Sequence, residues 1–216
     1  LYTLAAYRLT DVFTRVAVGE AAAMVFFPLF IVGLYEVVCG DKRRWKLLAV
    51  SAACIFCCHT LSTLVCAVLA VLFGAAHIVG IVREKRLAAV VRAAGLCLLL
   101  CLFRLAPFMM YTSEGLGAGA LINDLTVNAI EPGQILMTGL GSASGSVANH
   151  KVLTFSAEIG LPLLIGAMLA LYTALQKKER GRSEKAVMRL LIGGALLAAA
   201  ATDFFPWGPV SALTGG

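Results

Sequence analysis

The basic residues of this chain gather in three short segments between long hydrophobic runs, and this arrangement limits the possible fold more than any other feature. Fourteen of the eighteen lysines and arginines lie in these segments. They are Lys42, Arg43, Arg44 and Lys46; Arg83, Lys85, Arg86 and Arg92; and Lys177, Lys178, Arg180, Arg182, Lys185 and Arg189. Because short basic loops of multi-pass proteins stay in the cytoplasm, the pattern predicts a chain that crosses a membrane and returns between one basic loop and the next.

The composition indicates the same class of protein. Hydrophobic residues make up 60% of the chain and charged residues 14%, with a mean hydropathy of +0.90. In a soluble domain about a quarter of the residues are charged. The net charge of +6 comes from loops beside helix ends, where anionic lipid headgroups explain it. We therefore predict an integral protein of the plasma membrane, with membrane lipid and no nucleic acid among its partners.

The apolar runs predict an all-α fold, a polytopic bundle of about six transmembrane helices. The predicted spans are residues 17–38, 46–58, 61–82, 87–106, 152–175 and 187–204. Residues 46–82 are also compatible with one long helix, but a single crossing would place Arg83 outside the cell. A tight outer turn at residues 59–62 keeps all three basic loops on one side of the membrane.

The chain is predicted to form a single transmembrane domain over residues 1–216. Residues 1–16 form an outer interfacial helix in this prediction, and residues 107–151 form a long outer loop. The chain starts at Leu1 inside an outer segment and ends at Gly216 shortly after a span. We therefore expect a fragment of a larger protein, whose oligomeric state none of these patterns defines.

The strongest functional signal lies in the first twenty residues. Arg8, Asp11 and Arg15 have the spacing of one helix face. In one interpretation Asp11 and Arg15 form an ion pair that anchors a helix at the lipid headgroups. In the other, these side chains bind a phosphate-bearing or sugar substrate at the mouth of a cavity. Glu20 follows at the start of the first span, where the helix dipole favours a carboxylate.

His59 and Glu158 are further candidates on the predicted outer side. The imidazole of His59 is suited to moving a proton, or alternatively the segment caps the next helix through Ser62 or Thr60. Glu158 resembles Glu20, because each lies close to the outer end of a predicted span and is followed by a proline, Pro162 and Pro28 respectively. Two carboxylates that enter a membrane are costly unless they line water or hold a ligand. A divalent metal between them is compatible with this placement, but no spacing rule predicts one, and no metal site or cofactor is assigned.

A cysteine cluster next to His59 has two interpretations. Cys54, Cys57 and Cys58 share a helix face and are suited to a soft metal or a haem attachment. A cysteine, however, stands where the haem motif needs a histidine, and no second ligand cluster follows. Cysteine acting as a small apolar residue within a membrane helix is the favoured interpretation.

Several short motifs together resemble a known family. They are Tyr7-Arg8, Asp11, Arg15, Gly19-Glu20, Phe27-Pro28-Leu29, Gly33-Leu34-Tyr35, Gly40-Asp41, Arg44-Trp45, His59-Thr60-Leu61-Ser62 and Phe205-Pro206-Trp207. This order resembles the bacterial integral membrane proteins labelled 6-pyruvoyl-tetrahydropterin synthase-related, whose layout is similar to that of GT-C glycosyltransferases. The pterin chemistry of that label has no support here, because the chain lacks a zinc-binding histidine triad.

The resemblance implies an extracytoplasmic glycosyltransferase of the cell envelope that takes a sugar from a polyprenyl-phosphate donor. Asp11 or Glu20 would then be the general base, and His59 would protonate or position the leaving group. The substrate-binding residues would be Arg8, Arg15, Ser62 and Glu158. Since Glu20 and His59 both lie at outer helix ends, we also predict that they face a common outer cavity.

Two other classes of function are alternatives to the transferase. One is a transporter or lipid flippase, and the other is a structural subunit of a membrane complex. A transport path usually has ionisable groups at mid-membrane, and transporters often contain paired helix breaks in two repeats. In this chain the charged residues stay near the ends of the predicted spans and no repeat is visible, which favours the enzyme.

Overall fold

The computed structural model of the chain describes residues 5–13, 16–112, 161–176 and 181–207, and its regular structure there is helical, with no β-strand. The elements are α1 (Ala6–Phe13), α2 (Val18–Val38), a 3₁₀-helix (Lys42–Arg44), α3 (Trp45–Cys58), α4 (Thr60–Ala76), α5 (Ile78–Arg83), α6 (Leu87–Thr112), α7 (Leu161–Gln176) and α8 (Arg182–Ala200). The prediction of an all-α fold is confirmed.

The helix boundaries agree with the predicted spans in some places and differ in others. Helices α2 and α3 begin and end within one residue of the prediction. The predicted span 61–82 is divided at His77, whose backbone angles (φ −117°, ψ 12°) leave the helical region. Helix α6 continues through Pro107 to Thr112, so the first six residues of the predicted outer loop are helical.

Two of the described helices are long and apolar enough to cross a membrane, which is fewer than the six predicted. They are α2 and the Leu87–Pro107 part of α6. The apolar helices Thr60–Ala76 and Leu163–Gln176 are shorter, and α3 has 14 residues, whereas a perpendicular crossing takes about 20. Helix α8 contains charged residues over its first two turns.

The core forms where α2, α3 and α4 meet. Phe30, Leu34, Ile55 and Phe73 are almost fully buried in one cluster. Helices α2 and α3 approach closely at Gly33, where a Cβ atom would lie 2.7 Å from the backbone nitrogen of Leu48. Small residues allow such close backbone contact between helices, so this glycine brings the two helices together.

Three basic segments converge at one end of the bundle, which we call the basic end (residues 36–46, 83–92 and 181–189). Arg86, with 8% of its side chain exposed, lies at its centre. Its Nη1 donates hydrogen bonds of 3.2 and 2.9 Å to the carbonyl oxygens of Val37 and Gly40, and its Nε bonds to Glu84 at 2.6 Å. The guanidinium therefore satisfies carbonyl groups that the end of α2 leaves without a helical partner.

Glu84 connects two of the basic segments, and Glu36 forms an ion pair within the first. Glu84 forms ion pairs with both Arg86 and Arg182, and Arg182 also donates to the Cys39 carbonyl oxygen at 3.3 Å. Glu36 pairs with Arg44 at 3.2 Å. The helices thus start from and return to the same end of the bundle, which is the arrangement expected from the alternation of basic and apolar segments.

Candidate functional site

The candidate residues of the N-terminal region lie at the end of the bundle opposite the basic end. Helix α2 joins the two ends, and its 21 residues correspond to a length of about 30 Å. Glu36 belongs to the basic end, whereas Glu20 lies in the first turn of the same helix. We call this second region the Glu20 end, formed by residues 7–13, 16–20, 57–62 and 104.

Gly19 joins the start of α2 to the end of α3. A Cβ atom on Gly19 would lie 2.7 Å from the carbonyl oxygen of Cys58, which is closer than a side-chain carbon can approach a backbone atom. Gly19 directly precedes Glu20, and Cys58 directly precedes His59, so both residues of this contact adjoin a predicted site residue. The sequence therefore brings these two candidates to the same end through a glycine.

Helix α1 packs against α2 through its polar side. The hydroxyl of Tyr7 donates a hydrogen bond of 2.7 Å to Oε1 of Glu20, and Asp11 is fully buried. Because burying an ionised carboxylate is costly unless it is paired or hydrogen-bonded, Asp11 is an integral part of the packing here. Asp11 does not lie on an open helix surface, and its predicted ion pair with Arg15 involves a residue outside the described ranges.

The apolar side of α1 points away from the protein. Phe13 is 78% exposed, and Val12 and Val16 beside it are also exposed. A helix at the surface of a soluble domain shows the reverse arrangement, with apolar residues inside and polar residues outside. The orientation of α1 thus suits an apolar surrounding.

His59 caps α4 with its own side chain. Its Nδ1 accepts a hydrogen bond from the backbone nitrogen of Ser62 at 3.3 Å and lies 2.8 Å from the Ser62 hydroxyl oxygen. The sequence analysis gave Ser62 or Thr60 as the alternative cap of this helix. In the structure the cap is the imidazole of His59. Since Nδ1 is the acceptor, the proton of the neutral ring lies on Nε2.

Ser62, a predicted substrate-binding residue, is buried beside this ring. Its position supports the orientation of His59, and its contact with substrate stays a prediction. Arg8 lies half-buried on α1. Arg15 and Glu158, which complete the predicted set, lie outside the described residues.

Two residues at the Glu20 end were not among the predicted site residues. Tyr7 entered the sequence analysis in the Tyr7-Arg8 motif but not as a site residue, because a hydrogen bond across thirteen residues leaves no periodic signal. Arg104 donates to the carbonyl oxygen of Cys57 and lies 6.0 Å from the ring of Phe56. A cation within an apolar helix is itself a functional signal, and it would have identified Arg104 from the sequence.

The predicted common cavity of Glu20 and His59 stays a prediction. A cavity of about 310 Å³ lies in the core between α2, α3, α4 and α6, and its lining is apolar, with neither Glu20 nor His59 among its residues. Within the described ranges, no group of three or more His, Cys, Asp or Glu side chains could hold a metal ion. Cys54, Cys57 and Cys58 are free, half-buried thiols.

Chemically, the Glu20 end combines a carboxylate, a phenol, an imidazole and a guanidinium. One oxygen of Glu20 is held by Tyr7, and the ring of His59 is oriented by the start of α4. These groups are suited to taking up a proton and to binding an anion. Comparisons of the chain with protein families, with curated proteins and with solved structures find no match.

Proposed function

We propose that this chain forms part of a multi-pass membrane protein whose Glu20 end transfers a sugar from a polyprenyl-phosphate donor on the outer side of the membrane. The observation that carries the proposal is the contact between Gly19 and Cys58, because it places Glu20 and His59 at one end of the bundle. The three basic segments lie at the other end. Basic loops inside and the Glu20 end outside agree with the positive-inside rule.

The surface of the bundle supports a membrane environment. Only 17% of the most apolar stretch of α6 is buried, and Leu99, Phe103 and Met110 on this helix are more than half exposed. Large contiguous apolar surfaces are rare on soluble monomers. With α3, α4, α7 and α8 as shorter crossings, the proposed protein is a bundle of about six spans, similar in layout to GT-C enzymes.

The proposed reaction uses the groups in complementary roles. The Glu20 carboxylate accepts the proton of the acceptor hydroxyl while that oxygen attacks the anomeric carbon of the sugar. The bond between this carbon and the phosphate oxygen breaks, and its electron pair stays on the polyprenyl phosphate. Arg8 and Arg15 bind that phosphate, since a guanidinium can form two parallel hydrogen bonds to it. The Nε2 of His59 positions the leaving oxygen, and Asp11 is the alternative base.

A transporter is the second candidate, and one observation favours it. The helical run from Thr60 to Arg83 is interrupted at His77, and broken helices are typical of transporter substrate sites. A transporter would move the labelled lipid-linked sugar across the membrane without producing a glycosylated product, so one assay distinguishes the two functions.

The test uses membranes from cells that express the protein, with a panel of labelled polyprenyl-phosphate sugars and their acceptor lipids. We expect glycosyl transfer from at least one donor, and we expect Glu20→Gln to lower it by about 100-fold or more, the usual contribution of a general base. Asp203→Asn is the matched control, since Asp203 is an exposed acidic residue outside the candidate site, and it should leave transfer unchanged. Transfer at wild-type rates in Glu20→Gln, or no product from any donor in the wild type, would contradict the proposal.

A further inference from the structure

A second pocket lies at the basic end, between the start of α3 and the start of α6. Its volume is about 290 Å³, close to the lower limit for small-molecule sites of about 300 Å³. Four cations line it: Lys42, Arg43, Lys85 and Arg92. None of them belongs to the Glu20 end or takes part in the proposed transfer.

Three carboxylates lie near the pocket, and one of them, Asp41, accepts a hydrogen bond of 3.0 Å from the backbone nitrogen of Arg43. Glu36 pairs with Arg44, and Glu84 pairs with Arg86 and Arg182. The four pocket cations make no ion pair with any residue that the structure describes. All four side chains are exposed, and together they give this concave site a positive potential that favours an anion.

The backbone adds to this positive potential. Helices α3 and α6 both begin at the pocket, and the N-terminus of a helix carries partial positive charge. Lys85 has a φ of 51°, a left-handed conformation that glycine usually adopts at the end of a helix. A lysine at this position keeps a cation in the pocket despite an unfavourable backbone conformation.

One wall of the pocket is apolar. Trp45 and Ala88 form it together with Ala89, and Ala88 is exposed at the start of the apolar helix α6. Tryptophan is enriched where a membrane meets water. A free phosphate ion would contact only the four cations. A lipid would contact the cations with its phosphate headgroup and the apolar wall with its acyl chain.

We infer that this pocket binds the phosphate headgroup of an anionic phospholipid. Basic pockets between the ends of membrane helices suit such headgroups, and arginine matches the geometry of phosphate oxygens better than lysine does. The inference rests on the proposed membrane placement of the bundle but not on the transferase reaction.

The test measures the thermal stability and lipid binding of the purified full chain in nanodiscs. Phosphatidylcholine discs are compared with discs that also contain phosphatidic acid, and inorganic phosphate is added to the neutral discs as a separate arm. We expect phosphatidic acid to raise the melting temperature and inorganic phosphate at the same concentration to have little effect. The double variant Arg43→Gln, Arg92→Gln should bind phosphatidic acid at least tenfold more weakly.

Two further variants separate the pocket from general electrostatic attraction. Arg83→Gln with Arg189→Gln removes the same charge at the same end from exposed residues outside the pocket, and it should change binding less than twofold. Ala88→Trp keeps every charge but fills the pocket, and it should weaken binding as strongly as the arginine variant.

Three results would overturn the inference. They are equal weakening in the two double variants, unchanged binding in Ala88→Trp, and stabilisation by inorganic phosphate that equals stabilisation by the lipid. Release of the protein from native membranes by alkaline carbonate would instead refute the membrane placement, so the two failures can be distinguished.

Discussion

The hydroxyl of Tyr7 donates a hydrogen bond of 2.7 Å to Oε1 of Glu20 and so joins α1 to the first turn of α2. The bond connects a residue that was not among the predicted site residues with the carboxylate proposed as general base. Asp11 on the same helix is fully buried. Both observations place the polar side of α1 against the protein. The position of α1 and the position of the carboxylate therefore depend on each other.

Tyr7→Phe tests whether this bond positions Glu20 for the reaction. A hydrogen bond to a charged group contributes about 1.5–3 kcal/mol, so we expect kcat to fall by about tenfold or more, with KM changed less than threefold. Tyr172→Phe is the matched control, because Tyr172 is 60% exposed on α7. Equal kcat values in the two variants would remove Tyr7 from the site.

Gly19→Ala tests the contact between α2 and α3. The added Cβ would lie 2.7 Å from a backbone oxygen, and overpacking of this kind costs about 1–3 kcal/mol. Gly95→Ala is the control, since nothing lies within 4 Å of its Cβ position, and it should be neutral or slightly stabilising. Thermal denaturation in detergent measures both, and equal melting temperatures would contradict the observed packing.

Arg86→Met tests the centre of the basic end. Removing the guanidinium leaves the carbonyl oxygens of Val37 and Gly40 and the Glu84 carboxylate without this donor. Because Glu84 is 34% exposed and keeps its pair with Arg182, the main cost is that of buried acceptors left without a donor, about 1–3 kcal/mol. The exposed Arg83→Gln should stay within about 0.5 kcal/mol of the wild type. An Arg86→Met protein as stable as Arg83→Gln would show that Arg86 does not hold the loops together.

The thiol of Cys39 gives a pH-dependent test of the same region. Burial raises the pKa of Cys39 above its ordinary value, although the nearby Arg182, Arg86 and Arg189 lower it in part. Since the thiolate is the reactive form, a raised pKa means that maleimide reacts slowly at neutral pH and faster only as the pH rises toward that pKa.

The measurement compares single-cysteine proteins in permeabilised membranes. A protein with Cys39 alone should react much more slowly at pH 7 than a protein with Lys42→Cys alone, since Lys42 is exposed. Similar rates for the two at pH 7 would contradict the burial of Cys39.

The sequence allowed much of the fold to be predicted because charge and hydropathy act over whole segments. The all-α class, the limits of α2 and α3, and the alternation that brings the basic segments to one end follow from these patterns. The break at His77 and the extension of α6 to Thr112 do not, because both depend on local backbone geometry within continuous apolar runs.

The candidate site was less accessible to sequence reasoning. Asp11, Glu20 and His59 were found from their spacing and their places at the ends of apolar runs, and Arg104 could have been found as a cation within an apolar helix, but the contact of Tyr7 with Glu20 joins distant segments and leaves no sequence signal. The burial of Asp11 also could not be predicted, because helical periodicity shows which residues share a face and not which face turns inward.

The most direct test of the account is whether its two ends lie on opposite sides of a membrane. Single cysteines are placed at exposed positions, Lys42→Cys at the basic end and Asp203→Cys beyond the end of α8, in a protein without its other cysteines. A membrane-impermeant maleimide is then applied to intact cells and to permeabilised cells. We predict labelling at position 203 in both preparations and at position 42 only after permeabilisation. Labelling of position 42 in intact cells, or equal labelling of both positions before permeabilisation, would contradict the account.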